Sequence, residues 1–269
     1  MGYVQLATNI VLFTLLYLPL FPELVTEWMT VEDYSHGFFI PILSIYFLWR
    51  NRESLKNTRI SPSASGVLFI LSGVILYILA RMGYKFFLQC FSMLIVLFGL
   101  VYAQAGREMA KKTAFSISYL VFMIPLPQLV YTTITFHLRL FSTRLAFFFI
   151  KLFGISAMRE GNIINLPSCK LVVATPCSGL RSLIVFMAIS LALGYIFQKN
   201  IKNRVLLFIS SIILAVLMNT VRLVSTAYIA YMRNLQEILP SIHDTTGIVV
   251  LIIGFLILFT INDLLSRKT

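Results

Sequence analysis

Charge is scarce in this sequence. Asp, Glu, Lys and Arg make up 12% of its 269 residues, where a soluble domain carries about 25%. Hydrophobic residues reach 59% and the mean hydropathy is +0.89. So large an apolar excess needs a solvent other than water, and a lipid bilayer supplies it. No separate soluble domain is evident, and residues 1–269 read as a single integral-membrane domain. Cysteine is equally sparse. Cys90, Cys169 and Cys177 are too few for a disulfide scaffold, and no C-x-x-C or Cys/His ligand spacing occurs. There is no H-E-x-x-H, and His36, His137 and His243 are scattered, which removes the usual helical zinc-protease pattern. No metal or cofactor is therefore expected. Internal repeats and low-complexity tracts are absent as well.

Acidic residues are the scarcer sign, 10 against 22 Lys and Arg, for a net charge of +12. The basic residues fall in short clusters between apolar runs, which is how membrane topology is encoded, so no nucleic acid partner is expected. The first run has no basic residue before it and no small-residue cleavage site after it, and reads as a retained span.

Runs near the roughly 20 residues that a span needs are Gln5–Phe21, Gly37–Trp49, Gly66–Met82, Phe86–Ala105, Thr113–Leu126, Leu180–Phe197, Val205–Tyr231 and Thr246–Leu265. The expected fold is an all-α polytopic membrane protein of about eight spans, the second and fifth being short for a bilayer. Every second connector is basic. Arg50 to Arg59, Arg107 to Lys112, Lys199 to Arg204 and Arg267 with Lys268 alternate with Pro22–Asp33, which holds only acidic charge. This alternation predicts cytoplasmic N- and C-termini in the cytoplasmic (inner) membrane.

The long stretch Pro127–Pro176 then lies outside. Within Tyr131–Phe153, Leu138, Phe141, Leu145, Phe148 and Leu152 recur at helical spacing, with His137, Arg144 and Lys151 on another face. This predicts a helix lying in the membrane interface. A ninth span here would put Lys199, Lys202 and Arg204 outside, against the charge rule. Asn162–Leu166 and Lys170–Ala174, separated by Pro167-Ser168, read as a small extracytoplasmic hairpin.

Three polar features stand out against this background. Thr175-Pro176-Cys177-Ser178-Gly179-Leu180-Arg181 enters the sixth span. Ser178 can cap the helix. A thiol at a helix N-terminus is biased toward thiolate, and Arg181, one turn on, can lie near the sulfur. Asn219-Thr220-Val221-Arg222 lies within the seventh span, with Asn219 and Arg222 on one helix face. A cation there costs about 2.5–3.5 kcal/mol on insertion scales and needs a partner or a cavity. His243-Asp244 precedes the eighth span, and His is the side chain best matched to proton transfer near neutral pH. Each has a plainer reading: a small buried thiol, a structural arginine, a solvated loop histidine. Their joint placement favours chemistry. The last three spans alternate in direction, so Cys177, Arg222 and His243 fall on one side. A nucleophile, a fixed cation and a proton carrier are the parts of acyl transfer. Asp244 stands beside His243 as a candidate orienting group.

Cys177-Ser178-Gly179-Leu180-Arg181, Asn219-x-x-Arg222 and His243-Asp244 with Gly247 resemble the exosortase/archaeosortase family, in its bacterial exosortase form. Asp33-Tyr34-Ser35-His36-Gly37 with Pro41 resembles the family's N-terminal region. The resemblance implies a membrane cysteine protease or transpeptidase with Cys177, Arg222 and His243 as catalytic residues. Its implied partners are exported, membrane-anchored proteins bearing a C-terminal sorting signal: a short motif (Pro-Glu-Pro in the best-known class), a transmembrane helix and a basic tail. It assigns no role to His36. The competing expectations are a multispan transporter, which predicts polar groups spread along a mid-bilayer path, and a non-catalytic assembly protein.

Overall fold

The computed structural model describes residues 3–167, 169–174, 177–233 and 240–267, with side chains described from Ala7 in the first helix and from Thr245 in the last. Two compact units result, Met1–Gln128 and Leu129–Thr269. The first contains α1 (Tyr3–Tyr17), α2 (Leu20–Thr30), a 3-10 segment (Glu32–Phe38), α3 (Phe39–Arg50), α4 (Arg52–Lys56), α5 (Ser65–Met82), α6 (Phe86–Ala105), α7 (Arg107–Tyr119) and a 3-10 turn (Leu120–Met123). The second contains α8 (Gln128–Leu152), β1 (Met158–Glu160), β2 (Ile163–Asn165), β3 (Lys170–Val172), α9 (Leu180–Phe197), α10 (Ile201–Met232) and α11 (Pro240–Arg267). The molecule is thus an all-α polytopic membrane protein with one small sheet.

The span count differs from the expected eight. Among the described residues, five helices are long and apolar enough to cross a bilayer: α5, α6, α9, α10 and the Thr245–Arg267 part of α11. Two bent helix pairs, counted as one span each, raise the total to seven. The shortfall has local causes. Pro19 stands at the N-cap of α2 and the chain bends there by 57°, as a ring without an amide hydrogen dictates. Helix then continues through Pro22–Thr30, where an acidic outer loop was expected. The second expected span is α3, only 12 residues or about 18 Å long, well short of a hydrocarbon core of about 30 Å. The fifth is α7, whose first turns carry Arg107, Glu108, Lys111 and Lys112. It gives way to the 3-10 turn, and Pro125 and Pro127 follow before α8 begins.

In the first unit α5 packs on α6. Gly66 and Gly73 of α5 face α6, and Gly99 of α6 faces α5, at points where a side chain would meet the opposite helix. Small residues let two helices approach where lipid offers no hydrophobic drive. The Glu32–Phe38 segment holds the turn that ends α7. Trp28 Nε1 donates to Met123 O at 2.8 Å, His36 Nε2 donates to Phe122 O at 3.0 Å, and Leu126 N donates to Tyr34 Oη at 3.2 Å. His36, within the family-like segment, therefore binds a carbonyl that would otherwise lack a helical partner.

In the second unit α9, α10 and α11 pack on one another, around Phe186, Leu207, Leu214, Ala215 and Leu258. Their outward positions are apolar; on α11 they include Ile248, Val249, Ile252, Leu256 and Phe259, as expected of lipid-facing helices. β2 pairs antiparallel with β3, and β1, which the sequence did not announce, adds a third strand beside β2. A second core joins Ala146 and Ile150 of α8, Ile164, Leu171 and Val173 from the sheet region, and Leu223, Ala227 and Ala230 of α10. Cys177 belongs to this core.

At the other end of the three helices lies a polar lock. Gln198 Nε2 sits 2.8 and 2.9 Å from Asn262 O and Oδ1 and 2.7 Å from Ser266 Oγ. Asn203 Nδ2 donates to Leu265 O at 3.0 Å, and Arg204 Nε donates to Gln198 O at 2.9 Å. Gln198→Leu would leave the Asn262 side chain without this donor, at a cost of about 1–3 kcal/mol. A lowered midpoint of thermal unfolding in detergent is the expected result, with catalysis by the remaining folded protein unchanged; an unaltered midpoint would contradict the lock.

Candidate active site

Cys177 lies two residues before Gly179, which occupies the N-cap of α9. The thiol residue is 8% exposed, and its amide donates to Ala174 O at 3.0 Å. Ser178 stands one residue before the N-cap position of α9. Gly179 takes that position in a left-handed conformation (φ +93°) without a side-chain cap bond. The Ser178 hydroxyl accepts from Leu180 N, the first amide of α9, at 3.4 Å. A Ser-Gly pair yields this outcome because glycine adopts the left-handed region without the penalty a Cβ brings. Arg181 is exposed in the first turn of α9.

Asn219 reaches this turn from α10. Its Nδ2 donates to Cys177 O at 3.2 Å and to Ser142 Oγ at 3.1 Å. Ser142, on α8, donates to Ser178 O at 3.3 Å. Three distant parts of the chain thus meet around the successive carbonyls of Cys177 and Ser178. Asn219 is 3% exposed and Ser142 2%, and Asn219 Oδ1 is buried with no hydrogen-bond partner among the described residues. A Cβ on Gly179 would stand 2.8 Å from Asn219 Nδ2. Gly179→Ala is therefore expected to fail twice: it strains a left-handed residue by about 1–2 kcal/mol and pushes Asn219 from the Cys177 carbonyl. Reduced thermal stability together with lost activity checks this; a variant equal to the original in both would contradict it.

Arg222 follows Asn219 by three residues and is half-buried. Its guanidinium lies close against α11 at Gly247, where a Cβ would stand 2.9 Å from both Cζ and Nε of Arg222. Glycine is required there for the cation to approach the helix backbone. One turn away, Thr226 and Thr246 share a hydroxyl hydrogen bond of 3.1 Å, which ties α10 to α11 at the same level. Leu223, next to Arg222, shares the packed core with Cys177. Gly247 lies four residues, about one helical turn, after His243. The backbone of His243 and Asp244 is helical within α11, and their side chains lie outside the described residues.

The structure thus brings Cys177, Ser178 and Asn219 together, and sets the Arg222 guanidinium on the helix that carries His243. Among the described residues Cys90, Cys169 and Cys177 form no disulfide, and no group of His, Cys, Asp and Glu is arranged to hold a metal ion. Sequence reasoning missed Ser142. A signal for it exists: Thr135, Ser142, Thr143, Ala146 and Ile150 form the buried stripe of α8, and all but Ile150 are small or hydroxylic residues at helical spacing among large apolar ones.

The family model for transmembrane exosortases matches residues 28–260. The chain belongs to the transmembrane exosortase family. No curated protein and no solved structure matches it. The exosortase match spans both units and includes every residue of the candidate site, from Ser142 to Gly247. Membership in the exosortases supports a membrane transpeptidase-type activity in general terms.

Proposed function

We propose that this exosortase is a cysteine transpeptidase that cleaves the C-terminal sorting signal of exported, membrane-anchored proteins and transfers the product to an acceptor. The observation that carries the reading is the Asn219 bond to the Cys177 carbonyl, made from the same helix face that presents Arg222 toward α11. The thiolate of Cys177 attacks a peptide carbonyl just outside the substrate's helix. Arg222 stabilises the tetrahedral oxyanion, an interaction worth most where water is excluded. His243 gives its proton to the leaving amine as the C–N bond breaks, which leaves a thioester on Cys177. It then takes a proton from the incoming nucleophile as the thioester is resolved. Asp244 orients His243, and Arg181 adds positive potential at the start of α9.

The basic clusters Lys199 to Arg204, between α9 and α10, and Arg267 with Lys268, after α11, favour a cytoplasmic C-terminus and an extracytoplasmic site at the opposite ends of these three helices. The substrate carries a short motif, a membrane helix and a basic tail. The test is co-production with a tagged protein bearing such a tail. A shorter product that has lost helix and tail is the expected result. An intact substrate, together with solute uptake by the purified protein in vesicles, would favour a transporter instead.

A further inference from the structure

Ser142 and Asn219 form a bonding pattern that admits one arrangement of hydrogens. Cys177 O and Ser178 O are carbonyl oxygens and only accept. A serine hydroxyl has a single proton, and the Ser142 proton is taken by Ser178 O at 3.3 Å. Ser142 Oγ must then accept from Asn219 at 3.1 Å. The Asn219 amide has two N–H groups; one meets Ser142 Oγ and the other Cys177 O at 3.2 Å. Its orientation is thereby fixed without ambiguity, and Oδ1 is turned away from all three. The whole relay is buried, since Ser142, Ser178 and Asn219 are each no more than 3% exposed, so water cannot substitute for a lost member.

The relay acts on backbone, not on sulfur. It holds both carbonyls on one side of the Cys177–Ser178 segment just before the left-handed Gly179. That fixes the direction in which the Cys177 side chain leaves the turn. We infer that Ser142 is a positioning residue for the reaction: through Asn219 and Ser178 O it sets the attack geometry of Cys177 without touching substrate. The inference rests on Cys177 being the nucleophile. It extends the site to α8, an element for which the motifs give no role.

The measurement compares Ser142→Ala, Ser142→Thr and Ser142→Val in membranes that carry the tagged substrate, beside Cys177→Ala. Threonine and valine have nearly the same shape and differ in the hydroxyl. Turnover is expected to fall on the order of 100-fold in Ser142→Ala and Ser142→Val, the loss typical of a small misplacement of a reacting group. Recovery of substrate by pull-down should not change, and Ser142→Thr should regain most of the rate. In a Cys90→Ser, Cys169→Ser background, alkylation of Cys177 as a function of pH should shift in the alanine and valine variants and return in threonine. Equal rates for threonine and valine, or an original rate in Ser142→Ala, would overturn the inference while leaving Cys177 as nucleophile. Should Ser142→Ala fail to accumulate, the threonine and valine pair decides by the same criterion. Retained processing in Cys177→Ala would instead overturn the underlying reading.

Discussion

Cys177→Ala is expected to abolish processing of a tailed substrate, with a loss of at least about 10³-fold, since removal of a covalent nucleophile leaves only binding and electrostatic assistance. Cys177→Ser should be nearly as inactive, because an alkoxide is far harder to form at neutral pH than a thiolate. The effect is specific to one sulfur. Cys169 shares the packed core with Cys177 but is a free thiol with no bond to it. Cys90 lies on α6 in the other unit. Cys169→Ser and Cys90→Ser should therefore retain activity. The assay is a gel shift of the tagged substrate, with the amount of enzyme in the membrane followed by immunoblot. Full processing by Cys177→Ala would remove the nucleophile from the account.

Arg222→Lys should produce the second-largest loss, about 10²–10³-fold in turnover, with protein level unchanged. The charge is kept, so a purely electrostatic counterion role would survive the change. What is lost is the planar fork. Nε, Cζ and Nη2 of Arg222 all lie within 3.0 Å of the place a Cβ on Gly247 would occupy, so the guanidinium packs closely against α11 at that glycine. A lysine ammonium is a point charge on a flexible stem and cannot reproduce such a plane. Wild-type processing by Arg222→Lys would mean that Arg222 serves helix packing and not the oxyanion.

How legible this was in the sequence differs from element to element. The run Leu180–Phe197 became α9 with the same ends, and Phe86–Ala105 became α6, because each is a long apolar stretch bounded by charge or by glycine and proline. α3 and α7 were less legible. Their apolar residues are real, but a 12-residue helix and one that begins with four charged residues in six reach their boundaries before a bilayer is crossed. The α8 helix was expected from its large apolar stripe and its basic face. Phe141, Phe148 and Leu152 are indeed exposed, and His137, Arg144 and Lys151 are too. The face that matters for the site is the third one, of small and hydroxylic residues, which carries Ser142.

For the site itself, alternating span direction predicts Cys177, Arg222 and His243 toward one end of the last three helices. It could not supply register. That Asn219 meets the carbonyl of Cys177, or that Arg222 meets Gly247, depends on how far α10 slides and turns against its neighbours, and a 3.6-residue period leaves several registers equally apolar. The Ser-Gly pair illustrates the same limit at short range. Either residue is a good N-cap by type; Gly179 holds the position in a left-handed turn, where a side chain would meet Asn219.

The central claim is a covalent one, and mass measurement reaches it directly. Purified enzyme in lipid nanodiscs is mixed with a tailed substrate, quenched in acid after a short interval and digested. The account predicts a peptide containing Cys177 that carries the N-terminal portion of the cleaved substrate as a thioester, released by hydroxylamine and missing from Cys177→Ala. Cleavage with no adduct at Cys177, or with the adduct on another residue, would contradict it.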